Sequence, residues 1–112
     1  MANATLETLR ASLLEKQREL QRRVESLEKD LSQARSPDFA EQVTERENDD
    51  VLREIAREAR EEIQRITHAI MRIDEDTYGS CERCGAEISA QRLAAIPNAD
   101  YCIGCAQAME SQ

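Results

Sequence analysis

Tryptophan is absent from this 112-residue sequence, and its aromatic residues stop at one Phe and two Tyr. A chain so poor in large rings lacks the material for a broad globular core. Glycine occurs three times and proline twice, and no glycine precedes Gly79. The front two thirds therefore carry few of the residues that interrupt a helix. No apolar run approaches the roughly 20 residues that span a bilayer. The opening residues, Met-Ala-Asn-Ala-Thr-Leu-Glu, have neither the basic start nor the apolar stretch of a secretory signal. These absences predict a soluble, cytoplasmic protein without a membrane partner. Positive charge is also short, with 15 Lys/Arg against 23 Asp/Glu and a formal net charge of −8. That balance argues against tight binding to naked DNA or RNA, which rests on Lys and Arg at phosphates, and against anionic membranes.

What is present is mostly helical pattern. Leu6, Leu9, Leu13, Leu20, Val24, Leu27, Leu31 and Ala34 recur at spacings of three, four or seven, close to a heptad seam. Lys16 or Gln17 interrupts that seam. A second stripe runs through Val51, Ile55, Ala59, Ile63, Ile66, Ile70 and Ile73. Each helix is polar elsewhere and must bury its stripe against a partner. Between them lies Ser36-Pro37. Proline disfavours helix at the residue before it and suits the first turn of a new one. Ser36 is a good N-cap, and Asp38 then falls near the positive end of the helix dipole. So short a break predicts an antiparallel two-helix coiled-coil hairpin over residues 1–76, with its tip near residues 36–43. At 1.5 Å per residue, roughly 32 residues give an arm about 48 Å long. Acidity gathers just past the bend, where Asp38, Glu41, Glu45, Glu47, Asp49 and Asp50 face only Arg46. The run from Glu45 to Asp50 reads as a solvated face. The second helix is expected to end near Asp74–Thr77.

Residues 77–112 form a second module. Cys81-Glu-Arg-Cys84 and Cys102-Ile-Gly-Cys105 are two Cys-x-x-Cys pairs, the spacing of a four-thiolate zinc site. In a reducing compartment such pairs point to metal rather than disulfides. Gly85 permits the tight turn behind the first pair. With four protein ligands no position is left for water or substrate, so one structural Zn2+ is expected, at Cys81, Cys84, Cys102 and Cys105. His68 belongs to the second helical pattern, away from the cysteines, and reads as a surface or half-buried residue rather than a ligand. A short helix over residues 102–110, carrying Ala106 and Met109, is expected to pack at the base of the finger. Ile88, Leu93 and Ile96 are expected to complete a small core.

A coiled-coil finger followed by Tyr-Gly-Ser-Cys-Glu-Arg-Cys-Gly and Ile-Pro-Asn-Ala-Asp-Tyr-Cys-Ile-Gly-Cys resembles the DksA/TraR family of bacterial transcription regulators. The resemblance is strongest over residues 74–105. It implies a protein that is not an enzyme, binds RNA polymerase directly without binding DNA, and inserts its finger into the secondary channel. There the tip changes the lifetime of promoter complexes, often with guanosine tetraphosphate, the nucleotide of the stringent response. The family's tip pattern, Asp-x-x-Asp-x-Ala, falls on Asp38-Phe39-Ala40-Glu41-Gln42-Val43. Glu41 keeps the second charge with one more methylene, and Val43 replaces a smaller residue. Arg65 matches a basic position associated with the nucleotide. Ile96 and Ala106 stand where other basic residues would be, which implies weak nucleotide dependence.

Residues at i and i+3 share a helix face, so Asp38 and Glu41 point the same way. They suit pairing with a partner's Arg or Lys, or acting on a Mg2+ water shell, while Phe39 suits an apolar anchor. The plainer reading is a helix-favouring acid, a solvated acid and an aromatic closing the coiled coil. The main alternative function is a zinc-ribbon nucleic-acid binder, undersupplied here with only Arg83 and Arg92 against four acids. A thiol–disulfide enzyme, a transcript-cleavage factor and a coiled-coil scaffold rank below it. A monomer is expected.

Overall fold

The computed structural model describes residues 3–32 and 39–111, with side chains described from residue 5 to 32 and from 46 to 111. Four helices follow one another: α1 (Asn3–Leu31), α2 (Phe39–Asp74), α3 (Ala90–Ala95) and α4 (Ile103–Glu110). Among the described residues the β pairing is confined to an isolated antiparallel bridge between Ser80 and Glu87. The fold is mainly α, a long helical hairpin of α1 and α2 followed by the cysteine module. The chain divides into two compact units, one of residues 14–64 and one of residues 1–13 with 65–112.

In the first unit α1 and α2 run antiparallel. Lys16 faces Glu62 at 3.9 Å and Arg60 faces Glu28 at 2.6 Å, so early residues of one helix meet late residues of the other. Val24, Ala56 and Ala59 are buried between them, Ala56 completely. Alanine at such a position lets two backbones approach closely. Two expectations change here. Val51, assigned to the second stripe, is 58% exposed, whereas Asp49, assigned to the solvated acidic run, is buried. The apolar face thus starts at Leu52 and Ile55, both half-buried, rather than at Val51. Neighbouring positions differ by about 100° around a helix, so the rotation set by packing against the partner helix decides which of them faces inward. The bend and Asp38 lie outside the described residues.

In the second unit Leu13, Ile66, Ala69, Ile70 and Ile73 are buried, Ile66 almost wholly. Arg10 joins Asp74 by two hydrogen bonds, Nε to Oδ1 at 2.7 Å and Nη2 to Oδ2 at 3.0 Å. This pairing offsets the mildly unfavourable acid at a helix C-terminus. It also holds the Asp74 carboxyl below the usual carboxylate range, by hydrogen bonding first. Helix α2 stops where Asp76 turns left-handed (φ 61°), as the acidic turn predicted. The amides of Thr77 and Tyr78 both donate to the Arg72 carbonyl, at 2.8 and 3.1 Å.

The cysteine module packs around Cys81, Ile88 and Ala99, with Leu93, Tyr101, Cys102 and Cys105 against them. Ile88 and Leu93 fill the expected roles, but Ile96 is 42% exposed and is not core. It sits at the C-cap of α3, where its backbone rather than its side chain is engaged. Helix α3 is an addition to the expected elements. Ser89 caps it by accepting from the Arg92 amide at 3.1 Å, and Pro97 follows its end. Tyr78 donates its hydroxyl to the Pro97 carbonyl at 2.7 Å, and burial raises its pKa. The expected helix over 102–110 forms as α4, but Met109 is 40% exposed and α4 buries no residue.

Candidate metal centre

The first knuckle is built by backbone geometry. The Cys81 amide donates to the Ala86 carbonyl at 2.7 Å, and the Gly85 amide donates back to the Cys81 carbonyl at 2.9 Å. Closing that loop requires φ +79° at Gly85, where a Cβ would meet nothing within 4 Å. The glycine is therefore needed for its backbone angle and not for space. The second knuckle is the N-terminus of α4. Cys102 is its N-cap, and the Cys102 sulfur accepts from the Cys105 amide at 3.5 Å. The two knuckles are joined by the Glu82 amide donating to the Asp100 carbonyl at 2.8 Å.

The result places Cys81, Cys84, Cys102 and Cys105 with all four sulfurs within 4.8 Å of one another. None is in a disulfide. Cys84 Sγ and Cys102 Sγ are 3.8 Å apart. Zn–S bonds of about 2.3 Å in a tetrahedron put neighbouring sulfurs about 3.8 Å apart. The donor set, soft thiolates in that spacing, fits one zinc ion. The cysteines titrate unequally. Burial works against ionising Cys81, yet amides of Cys102, Cys84 and Arg83 hydrogen-bond its sulfur and lower its pKa to about 6. Cys105 moves the other way, to about 12, first through its hydrogen bond with Cys102 and then through burial. Four sulfurs this close oppose one another's ionisation, and a bound cation would relieve that opposition.

Residues 81–105 also assemble something the sequence reading missed. Arg72, on the last turn of α2, is 4% exposed. Its guanidinium donates to Asp100 Oδ1 at 3.3 Å and to the carbonyls of Thr77, at 2.9 Å, and Ser80. Its Nε lies 3.6 Å from Glu82 Oε1. One turn earlier, His68 Nε2 lies 2.5 Å from Glu82 Oε1 and 3.8 Å from Asp100 Oδ1. His68 is half-buried as expected, but it is not remote from the cysteines, because Glu82 adjoins Cys81. His68, Glu82 and Asp100 have metal-ligand chemistry and lie within 4.8 Å. Arg72 already supplies the cation those carboxylates face, so the group reads as an internal ion network. The signal was available: a basic residue among Ile66, Ile70 and Ile73 in a buried last turn, and an acid beside each cysteine pair.

Two family models match the chain: the DnaK suppressor protein-like N-terminal domain over residues 9–73, and the prokaryotic DksA/TraR C4-type zinc finger over residues 76–111. The chain belongs to the DksA/TraR family. It is similar to the DnaK suppressor protein of Agrobacterium tumefaciens, whose solution structure it matches at 39% identity and TM-score 0.61, covering 91% of each chain. The transcription factor DksA2 of Pseudomonas aeruginosa aligns with TM-score 0.84 at 27% identity, over 99% of this chain and 87% of that one. Among curated relatives, the RNA polymerase-binding transcription factor DksA of Haemophilus influenzae is 40% identical over 70 residues, 62% of this chain and 48% of that protein. The chain spans less than half the length of the curated relatives it matches. DksA/TraR membership accords with four cysteines holding one structural zinc. Such an ion would tie the two knuckles together and supply folding free energy, with no open position for chemistry.

The remaining expected residues are placed unevenly. Phe39, Glu41 and Val43 fall in the first turns of α2, where only the backbone is described, and Asp38 lies outside the described residues. Arg65 is exposed on α2. A groove of about 890 Å3 lies between α1 and the cysteine module within one unit, lined by Thr8, Leu9, Ser12, Tyr78, Glu87 and Leu93 among others. Its lining offers hydroxyls and a single carboxylate, with neither His nor Cys.

Proposed function

We propose that this protein is a transcription regulator that binds RNA polymerase directly, with its helical hairpin in the secondary channel and no enzymatic activity of its own. The observation that carries this reading is that both halves of the family pattern, hairpin and four-cysteine zinc finger, match one chain in series. Relatives that match part of this chain are named for binding RNA polymerase. In this reading the zinc module is the grip and the bend is the effector. Asp38 and Glu41 bring negative charge near the polymerase active centre, with Phe39 and Val43 beside them as apolar contacts. Guanosine tetraphosphate, if it acts, meets Arg65, and its effect is weak because Ile96 and Ala106 carry no charge. The protein works in the cytoplasm as a monomer.

Direct nucleic-acid binding is the weaker reading. The module's two arginines already serve the fold: Arg83 donates to the Cys105 carbonyl at 3.4 Å and Arg92 to the Tyr101 carbonyl at 2.9 Å. Few donors remain for phosphates.

Run-off transcription with purified polymerase, paired with co-sedimentation, tests the proposal. Asp38→Asn and Glu41→Gln should leave polymerase binding nearly intact and change transcript output. Equal loss of binding and output would make the tip an affinity contact. Absence of binding, or a shift of duplex DNA by the protein alone, would remove the proposal.

A further inference from the structure

We infer that Arg72 is a positioning residue for the zinc site, coupling metal binding at the cysteines to helical order at the end of α2. The inference rests on where its partners sit. Ser80, which accepts from Arg72, immediately precedes Cys81, and Glu82 immediately follows it. Asp100, the third partner, lies two residues before Cys102. One planar guanidinium thus touches both sides of the first knuckle and the entrance to the second. The Glu82 amide and Asp100 carbonyl close the same junction with a backbone hydrogen bond of 2.8 Å. His68, four residues earlier on the same face, adds a second contact to Glu82.

Burial makes the arrangement cooperative. A guanidinium that is 4% exposed needs its full set of partners, since an uncompensated buried charge is strongly unfavourable. The fork geometry serves two carboxylates and two carbonyls at once, which a Lys ammonium does not reproduce. If the knuckles separate, Glu82 and Asp100 leave, and the last turn of α2 carries an unpaired cation. If the last turn frays, the knuckles lose the group that spans them. Each state therefore favours the other, and linkage makes the effect reciprocal. Groups outside a metal's own ligands commonly change affinity by about 10–100-fold.

The test uses the zinc-loaded full chain. Zinc affinity is measured by competition with a chromophoric chelator, and amide hydrogen exchange is followed over residues 66–76 before and after zinc removal. Arg72→Met should weaken zinc binding about tenfold or more. In the unaltered protein, zinc removal should speed exchange over residues 66–76; in Arg72→Met, exchange should already be fast and change little. Ala56→Gly, a destabilising change in the other unit, should leave zinc affinity as it was. Should Arg72→Met fail to fold, Asp100→Asn decides in its place, with the same losses expected. Unchanged zinc affinity in the deciding variant, exchange at the end of α2 that ignores zinc, or an equal loss in Ala56→Gly would each overturn the inference.

Discussion

Gly85 shows how a single residue serves the metal centre without touching metal. At φ +79° with open space around its missing Cβ, it is there for backbone freedom alone. The cysteines differ in kind. Cys81 is buried and receives amide donors, whereas Cys84 is exposed. Cys84→Ser keeps the size of the side chain but removes a soft ligand, so zinc stoichiometry by a colorimetric chelator should fall from one toward zero. The module should lose its cooperative melt as well, because binding and folding of such sites are one process. Arg10 and Asp74 give a pH-dependent contribution. The folded Asp74 carboxyl titrates below its unfolded value, so its contribution is present above the ordinary carboxylate range, near pH 4, and is lost as pH falls through the folded pKa. Arg10→Met should be slightly less stable than the parent at pH 7, and urea midpoints of the two should converge well below pH 4. The gap will be small and salt-sensitive, since both side chains are well exposed.

Helices α1 and α2 are held by narrow stripes, and small residues are among those buried in them. Ala56, at 0% exposed, has no room for a larger side chain. Ala56→Leu should cost about 1–3 kcal/mol by overpacking, seen as a lower urea midpoint with an unchanged denaturant slope. A surface change such as Glu54→Gln should do much less, because Glu54 and Arg57 pair on an exposed face. Periodicity located these helices and the end of α2, but not which of two neighbouring positions faces inward. Val51 turned out exposed and Asp49 buried, since helix rotation is set by the partner helix and not by the stripe itself. The six-residue α3 escaped notice because one and a half turns leave no period to read. Its signals, Ser89 before it and Pro97 after it, are those of any turn.

At the level of the whole molecule, stability has two sources, apolar burial between long helices and, in the cysteine module, a metal. Residues 77–112 have a core of only Cys81, Ile88 and Ala99 with four half-buried neighbours, too little to order the segment alone. Chelation of zinc should therefore remove near-ultraviolet tyrosine dichroism from Tyr78 and Tyr101 while most of the 222 nm helical signal, arising in α1 and α2, persists. Loss of both signals in one step would show that the hairpin depends on the metal throughout. The sequence by itself determined the two long helices, through the spacing of Leu, Ile and Val, and the zinc ligands, through two Cys-x-x-Cys pairs. Both are local patterns, and local patterns survive in one dimension. Only the tertiary structure decided what lies between them. Arg72, Glu82, Asp100 and His68 are up to 32 residues apart in the chain, and their charges meet because helix exit, knuckle and turn are folded onto one another. The sequence marks a basic residue among apolar ones and an acid near each cysteine pair, but long-range pairing has no period to say which of them meet, so the partners are assigned only when the chain has closed around them.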